Sequence, residues 1–299
     1  MSESVPSSPI VRILKILSVF PLSWVRALGR FIGFAILRFE RRTRKTIDRN
    51  LELCLPELDK EQRARIRNSR LRHMGQTFVE MSHVWTKSPE SILNLVREGE
   101  GTESFRNAVA EEGGVIVLAP HIGNWEIMNI YVNAIRPLTA MYRPSKDPGL
   151  DAFILAARER SGSVLVPTDR RGVLQTVKTL NRNGVVGMLP DQVPGKGSGE
   201  YAPFFGHQAY TMTLASQLAR KTNARVFVAG ALQTSKGFEI VSVEVDQDFY
   251  SEDIKTSLKG LNASVERLVR VRPGQYQWEY KRFKNQPEGA MSLYKEHTS

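Results

Sequence analysis

Four short apolar runs, each followed closely by a proline, limit the folds open to this chain more than any other feature. They lie at 115–119, 138–142, 163–166 and 184–189, and they lead into Pro120, Pro144, Pro167 and Pro190. Short runs rich in branched residues predict buried strands. Amphipathic segments near 125–135, 148–161 and 172–182 separate them, and a further helix near 211–222 leads into a strand at 225–232. Strands alternating with helices of this length predict an α/β fold with a mostly parallel central sheet flanked by helices. A last run, Phe238–Val245, alternates apolar and polar residues and is expected at a sheet edge. A helix from about Glu252 to Arg270 and a tail from Arg272 complete the chain. If the sheet is parallel, the four proline-closed ends converge on one rim, where open α/β sheets hold their ligands.

The first 112 residues have a different texture. Residues 1–9, with two prolines and four serines, are expected to be a disordered tail. From Ile10 to Phe39 the chain is apolar but broken by Arg12, Lys15, Arg26, Arg30 and Arg38. Its longest uncharged run, Ile16–Val25, is far short of the roughly 20 residues that span a bilayer. Arg12, Lys15, Arg26 and Arg30 recur near whole helical turns and are expected to share one face, with Leu, Ile, Phe and Trp opposite. This is the pattern of a helix lying in a membrane interface, with a tilted spanning helix as the variant. Residues 10–45, closing on the basic cluster Arg41-Arg42-Thr43-Arg44-Lys45, therefore read as an N-terminal membrane-associated segment. Residues 46–299 read as the enzymatic domain, helical over 46–112 and α/β over 113–299. Within the helical part, Asp59 and Gln62 have the spacing of a capping box.

Charge points the same way. The chain carries a formal net charge of +11. Residues 1–50 hold ten lysines and arginines against three acids, so most of the excess sits beside the apolar segment. Such a block expects an anionic partner. Nucleic acid is the other anionic class, but its binders carry recognition elements that this sequence lacks, and no nucleic-acid partner is expected. The single cysteine, Cys54, lies between two leucines, excludes an intramolecular disulfide framework and is expected to be buried and inert.

The chemistry concentrates where the first strand ends, in His121-Ile122-Gly123-Asn124-Trp125-Glu126. A neutral imidazole accepts a proton at one nitrogen and donates a hydrogen bond from the other. Glu126 is expected to hold the donor nitrogen, leaving His121 to deprotonate an alcohol as it attacks an acyl carbonyl. A structural His–Glu pair and a metal site compete with that reading, but the turn offers no third ligand. Arg143 and Arg170/Arg171, at later strand ends, are expected to supply positive charge for phosphates or a developing oxyanion. Asp191 is expected to position a substrate or one of these arginines. Pro194–Gly199 fails the pattern of a nucleotide-binding loop and reads as a flap over the site. No Gly-x-Ser-x-Gly elbow is present and Cys54 is remote, which favours direct transfer by a general base over a covalent acyl-enzyme. His73, His83 and His207 are given no catalytic role.

These residues, with Arg49-Asn50-Leu51, Tyr142-Arg143-Pro144, Pro190-Asp191-Gln192, Ala202-Pro203-Phe204-Phe205-Gly206 and Pro273-Gly274-Gln275-Tyr276-Gln277-Trp278, resemble one family over nearly the whole chain. It is the bacterial late acyltransferases of lipid A biosynthesis, within the lysophospholipid acyltransferase superfamily. The resemblance implies a glycerolphosphate acyltransferase-like fold. It also implies transfer of a fatty acyl chain from acyl carrier protein to a hydroxyl of a Kdo-bearing lipid A precursor, at the cytoplasmic face of the inner membrane, with no cofactor and no metal. The family's catalytic pair falls on His121 and Glu126, its functional arginine on Arg170 or Arg171, and its aspartate on Asp191. Asn124, inside the motif, and Arg143 are expected to contact substrate. Tyr280 stands where many relatives have a histidine, which argues against a catalytic role there. An acyl-CoA donor, another membrane lipid as acceptor, and hydrolysis of the thioester by water remain open alternatives.

Overall fold

A computed structural model of the chain describes residues 8–294. The sequence expectation for residues 1–7 lies outside the described residues. Ser8 and Pro9 depart from the expected disorder: Ser8 is buried and donates to Asp147 at 2.7 Å, and Pro9 begins the first helix.

Five helices come first: α1 (Pro9–Leu17), α2 (Leu22–Phe39), α3 (Arg41–Cys54), α4 (Lys60–Val84) and the short α5 (Pro89–Leu93). The capping box at α4 forms in full, with Gln62 N–H on Asp59 Oδ1 at 2.7 Å and Asp59 N–H on Gln62 Oε1 at 2.8 Å. Such caps are worth about 1 kcal/mol by satisfying donors the first turn leaves bare. Helix α2 crosses α4 at backbone contact. A Cβ added to Gly33 would stand 2.2 Å from the Leu71 carbonyl oxygen, and one on Gly75 would stand 2.1 Å from that of Gly29. Only glycine permits so close an approach.

That crossing decides which side of α2 faces in, and it reverses one expectation. Arg26 does not join Arg12, Lys15 and Arg30 on an exposed basic face; it is buried, with Gly29 and Gly33 on its side of the helix. The exposed side chains instead include Trp24, Phe31 and Phe34, which α1 and its following turn extend through Ile13, Ile16, Val19 and Phe20. No helix among the described residues is long and apolar enough to cross a membrane, which removes the tilted-span variant for those residues.

The remainder is the α/β part. Its elements run β1 (Val96–Glu98), α6 (Thr102–Ala110), β2 (Val115–Leu118), α7 (Glu126–Asn133), β3 (Leu138–Tyr142), α8 (Pro148–Arg160), β4 (Val164–Pro167), α9 (Arg170–Asn181) and β5 (Val185–Met188). The hairpin β6 (Gly199–Phe204) and β7 (His207–Met212) follows, then α10 (Leu214–Thr222), β8 (Arg225–Gln233), β9 (Phe238–Glu244) and α11 (Ile254–Val271). Seven strands make one sheet in the order β1-β9-β8-β2-β5-β3-β4, in which only the β8–β9 pairing is antiparallel. The sheet is mostly parallel, as the alternation predicts. Strand β9 is not its edge, however, because three-residue β1 pairs with its outer side. The hairpin was not foreseen: the sequence reading places a flap at Pro194–Gly199 and no strand between it and the helix near 211–222, where β6 and β7 pair.

Side chains alternate across β2, so Val115 and Val117 face a core built with α6 and α7, while Ile116 and Leu118 face α9, α10 and α11. Burial on both faces is the normal condition of a parallel strand. Each such side chain contributes about 1.5–3 kcal/mol.

Candidate active site

The two strands that matter are β2 and β5, which are neighbours in the sheet with Leu118 opposite Met188. His121 and Asp191 each stand three residues beyond that pair, so register alone brings them together. Asp191 Oδ1 lies 2.8 Å from His121 Nδ1, and Asp191 Oδ2 accepts the His121 backbone N–H at 2.9 Å. Burial pushes the Asp191 carboxyl up, but the charge of His121 and these two hydrogen bonds carry it below its ordinary value. A carboxylate on Nδ1 favours the proton there and places the lone pair on Nε2. The Gln192 side-chain nitrogen sits 3.2 Å from Nε2 and also donates to Gln277 Oε1 at 3.1 Å. The Trp125 ring packs against the imidazole with centroids 5.0 Å apart.

Glu126 therefore does not orient His121, contrary to the sequence expectation. As the first residue of α7 it points to the other side, where it accepts both Nε and Nη2 of Arg158 and the Trp85 indole N–H at 3.1 Å. Burial alone would depress the Arg158 guanidinium, and the charge of Glu126 more than reverses that, so Arg158 stays cationic. Arg158 also lies 5.2 Å from the centre of the Tyr142 ring. Helix periodicity hid this pairing, because Arg158 reads as an ordinary basic residue in the last turn of α8.

Asn124 likewise departs from its expected substrate contact. It is wholly buried, its side-chain amide donates to Glu80 at 3.0 Å, and its backbone N–H donates to the Ala231 carbonyl at 2.8 Å. Its neighbour Gly123 has φ of +60°, and a Cβ there would meet the Ala231 carbonyl oxygen at 2.1 Å. The turn is also clamped from the carboxyl-terminal segment, with Gly123 N–H on Gln275 O at 3.1 Å and Gln277 N–H on His121 O at 3.0 Å.

A cavity of about 750 Å³ opens beside this turn, within the usual range for small-ligand pockets. Ala119, Trp125 and Glu126 form its near wall, and Val117, Met128, Val132 and Leu138 give it an apolar interior. Arg143 and Arg158 bring positive charge to it. Arg170 and Arg171 stand exposed at the start of α9, two and three residues beyond Thr168 of the lining, and Arg171 reaches its own helix cap Asp169 at 3.4 Å. Gly195 and Gly197 also line the cavity, and the Tyr210 hydroxyl accepts the backbone N–H groups of Gly197 and Gly199 at 3.1 and 3.2 Å. The Pro194–Gly199 segment is thus a bonded turn of the cavity wall rather than a loose flap. Among the described residues no group of three or more potential metal ligands occurs.

A carboxylate-held histidine thus stands on the rim of the α/β sheet, in the turn whose Trp125 and Glu126 line a largely apolar cavity. The sequence profile of the family described as bacterial lipid A biosynthesis acyltransferase matches residues 8–285, and the chain belongs to that family. It is an acyltransferase. Similar proteins include the lipid A biosynthesis lauroyltransferase of Escherichia coli K12, 28% identical over 287 residues, covering 95% of this chain and 93% of that protein. The palmitoleoyltransferase of the same organism is 26% identical, covering 89% of this chain and 87% of its own length. The myristoyltransferase is also 26% identical, with coverage of 90% and 82%.

Proposed function

We propose that the protein transfers a fatty acyl chain from the thioester of acyl carrier protein to a hydroxyl of a Kdo-bearing lipid A precursor, with His121 as general base. The observation that carries this reading is the His121–Asp191 contact, which leaves Nε2 as the basic nitrogen beside an apolar cavity. The names of the similar proteins supply the acceptor class. In the reaction, Nε2 takes the proton of the acceptor hydroxyl as its oxygen attacks the thioester carbonyl. The tetrahedral species then collapses, the carbon–sulfur bond breaks, and the thiolate leaves with the proton that His121 returns. Asp191 stays ionised throughout and holds the imidazolium. Arg143, Arg170 and Arg171 offer charge to phosphates of the acceptor, and the cavity takes the acyl chain.

The site works at the cytoplasmic face of the inner membrane, with the exposed Trp24, Phe31 and Phe34 of α2 seated in the interface and the basic Arg38, Arg41 and Arg42 nearby meeting anionic lipid. General base catalysis contributes roughly 10²–10⁴-fold, so purified His121→Ala should lose transfer of labelled acyl chains by that factor. Retention of near-normal transfer by the variant would overturn the mechanism. Acyl carrier protein and CoA thioesters compared at equal concentration decide the donor.

A further inference from the structure

The side chain of Arg26 is odd for a helix whose outer face is so apolar. It is buried with all three of its nitrogens engaged: Nε on Glu80 Oε1 at 2.6 Å, Nη1 on the Thr234 carbonyl at 2.8 Å and Nη2 on the Gly237 carbonyl at 3.0 Å. Its partner Glu80, on α4, has no exposed surface. The other oxygen of Glu80 accepts from Asn124 Nδ2 at 3.0 Å and from Gln233 Nε2 at 2.7 Å. Asn124 lies three residues beyond His121. Gln233 closes a second path to the same turn: its backbone N–H donates to Gln275 Oε1 at 2.8 Å, and the Gln275 carbonyl receives the Gly123 N–H. Thr77, one turn before Glu80 on α4, completes the enclosure by donating to the Gly123 carbonyl at 3.2 Å.

None of Arg26, Thr77, Glu80, Asn124, Gln233 and Gln275 is among the residues that line the cavity. Burying an ion pair gives little stability against an apolar pair of the same volume. Its worth must lie in what it holds in place. The shared element is the His121–Asn124 turn, gripped from α2 through Arg26 and Glu80, from α4 directly, and from the end of β8. We infer that Arg26 and Glu80 are positioning residues for the catalytic turn, which makes α2 part of the catalytic apparatus and not a detachable anchor. This rests on the reading of His121 as the base. A turn displaced by about 1 Å costs on the order of 10²-fold in rate, while substrate binding at the cavity is left alone.

The test uses the full-length enzyme. Glu80→Asp keeps the charge for Arg26 but withdraws the carboxylate by one carbon–carbon bond, about 1.5 Å, so it cannot hold Arg26 and Asn124 together. Arg26→Lys keeps the counter-charge but loses the three-way fork. Each variant is assayed for acyl transfer per folded molecule, with folding followed by thermal unfolding. Expected are a kcat about 10- to 100-fold below wild type and a KM for the acyl donor within twofold. A purely structural role lowers the unfolding temperature and the yield but leaves kcat of the folded enzyme unchanged, and that result for Glu80→Asp overturns the inference. If Glu80→Asp does not fold, Arg26→Lys decides by the same criterion. His121→Ala runs alongside: if it stays active, the reading of the base fails, and that is distinct from an Arg26–Glu80 link that has no effect on kcat.

Discussion

Replacing Asp191 by asparagine isolates the proton bookkeeping of the site from its shape. The Asp191 carboxylate spends one oxygen on the His121 backbone N–H and the other on Nδ1. Asparagine keeps the first bond through its carbonyl oxygen and then presents its NH2 group to Nδ1. Two donors cannot face each other, so the imidazole shifts its proton to Nε2 and the lone pair proposed as the base is gone. The fold survives, because no atom is lost and the backbone clamp remains. The expected loss in kcat equals the general-base contribution, roughly 10²–10⁴-fold, or about 3–5 kcal/mol on the barrier. Initial rates of labelled acyl transfer at saturating donor and acceptor measure it, with thermal unfolding as the control. A kcat within threefold of wild type in a folded Asp191→Asn protein refutes the assignment. The same substitution has a pH signature. Because the Asp191 carboxyl is depressed in the folded protein, its contribution to stability is complete above the ordinary aspartate value near ~3.9 and is lost as pH falls through the lower native value. The stability gap between wild type and Asp191→Asn should therefore close on acidification below about pH 4.

Three other outcomes follow from the same geometry. Burial depresses His73 from 6.5 to about 4, so the folded form stays neutral while the unfolded chain takes up a proton; stability should fall by on the order of 3 kcal/mol between pH 6.5 and 4, and His73→Gln should flatten that slope in pH-dependent chemical denaturation. Gly123→Ala combines a positive φ with a Cβ 2.1 Å from a carbonyl oxygen, and should abolish transfer together with a marked drop in unfolding temperature; an unchanged melt would mean the turn is not clamped as described. Glu126→Gln leaves Arg158 without its counter-charge and should lower stability by about 3 kcal/mol, measured by urea unfolding.

How far the sequence led depended on the distance between partners. Strand positions were legible because β2, β3, β4 and β5 are short, apolar and end at or near a proline, and the Asp59–Gln62 cap was legible because both residues lie in one turn. The convergence of strand ends on one rim followed from parallel pairing alone. What sequence could not give was strand order. Asp191 follows the fourth of the proline-closed strands, yet β5 is the immediate neighbour of β2, so the residue 70 positions away meets His121 while Glu126, five away, turns aside. Closeness in sequence had pointed to Glu126 as the partner carboxylate; the start of α7 turns that carboxylate towards Arg158 of α8. Asn124 was misjudged because its place in the motif does not say where its side chain points, and Arg26 because periodicity groups residues by face but does not say which face meets the protein. The glycines at 29 and 33 carried that information, since a helix that omits side chains along one stripe is making room for another backbone.

That glycine stripe separates two kinds of surface on one helix. Helix α2 meets α4 backbone to backbone at Gly29, Gly33 and Gly75 and through the buried Arg26–Glu80 pair, while the side chains of Trp24, Phe31 and Phe34 stand exposed on the other side. The outward face can therefore be rewritten independently of the seam. Exchanging these three aromatic residues for glutamine should yield a form that stays monodisperse without detergent and keeps its turnover on a water-dispersible acceptor, whereas Gly33→Leu, a single change on the hidden side, should leave no folded enzyme to purify.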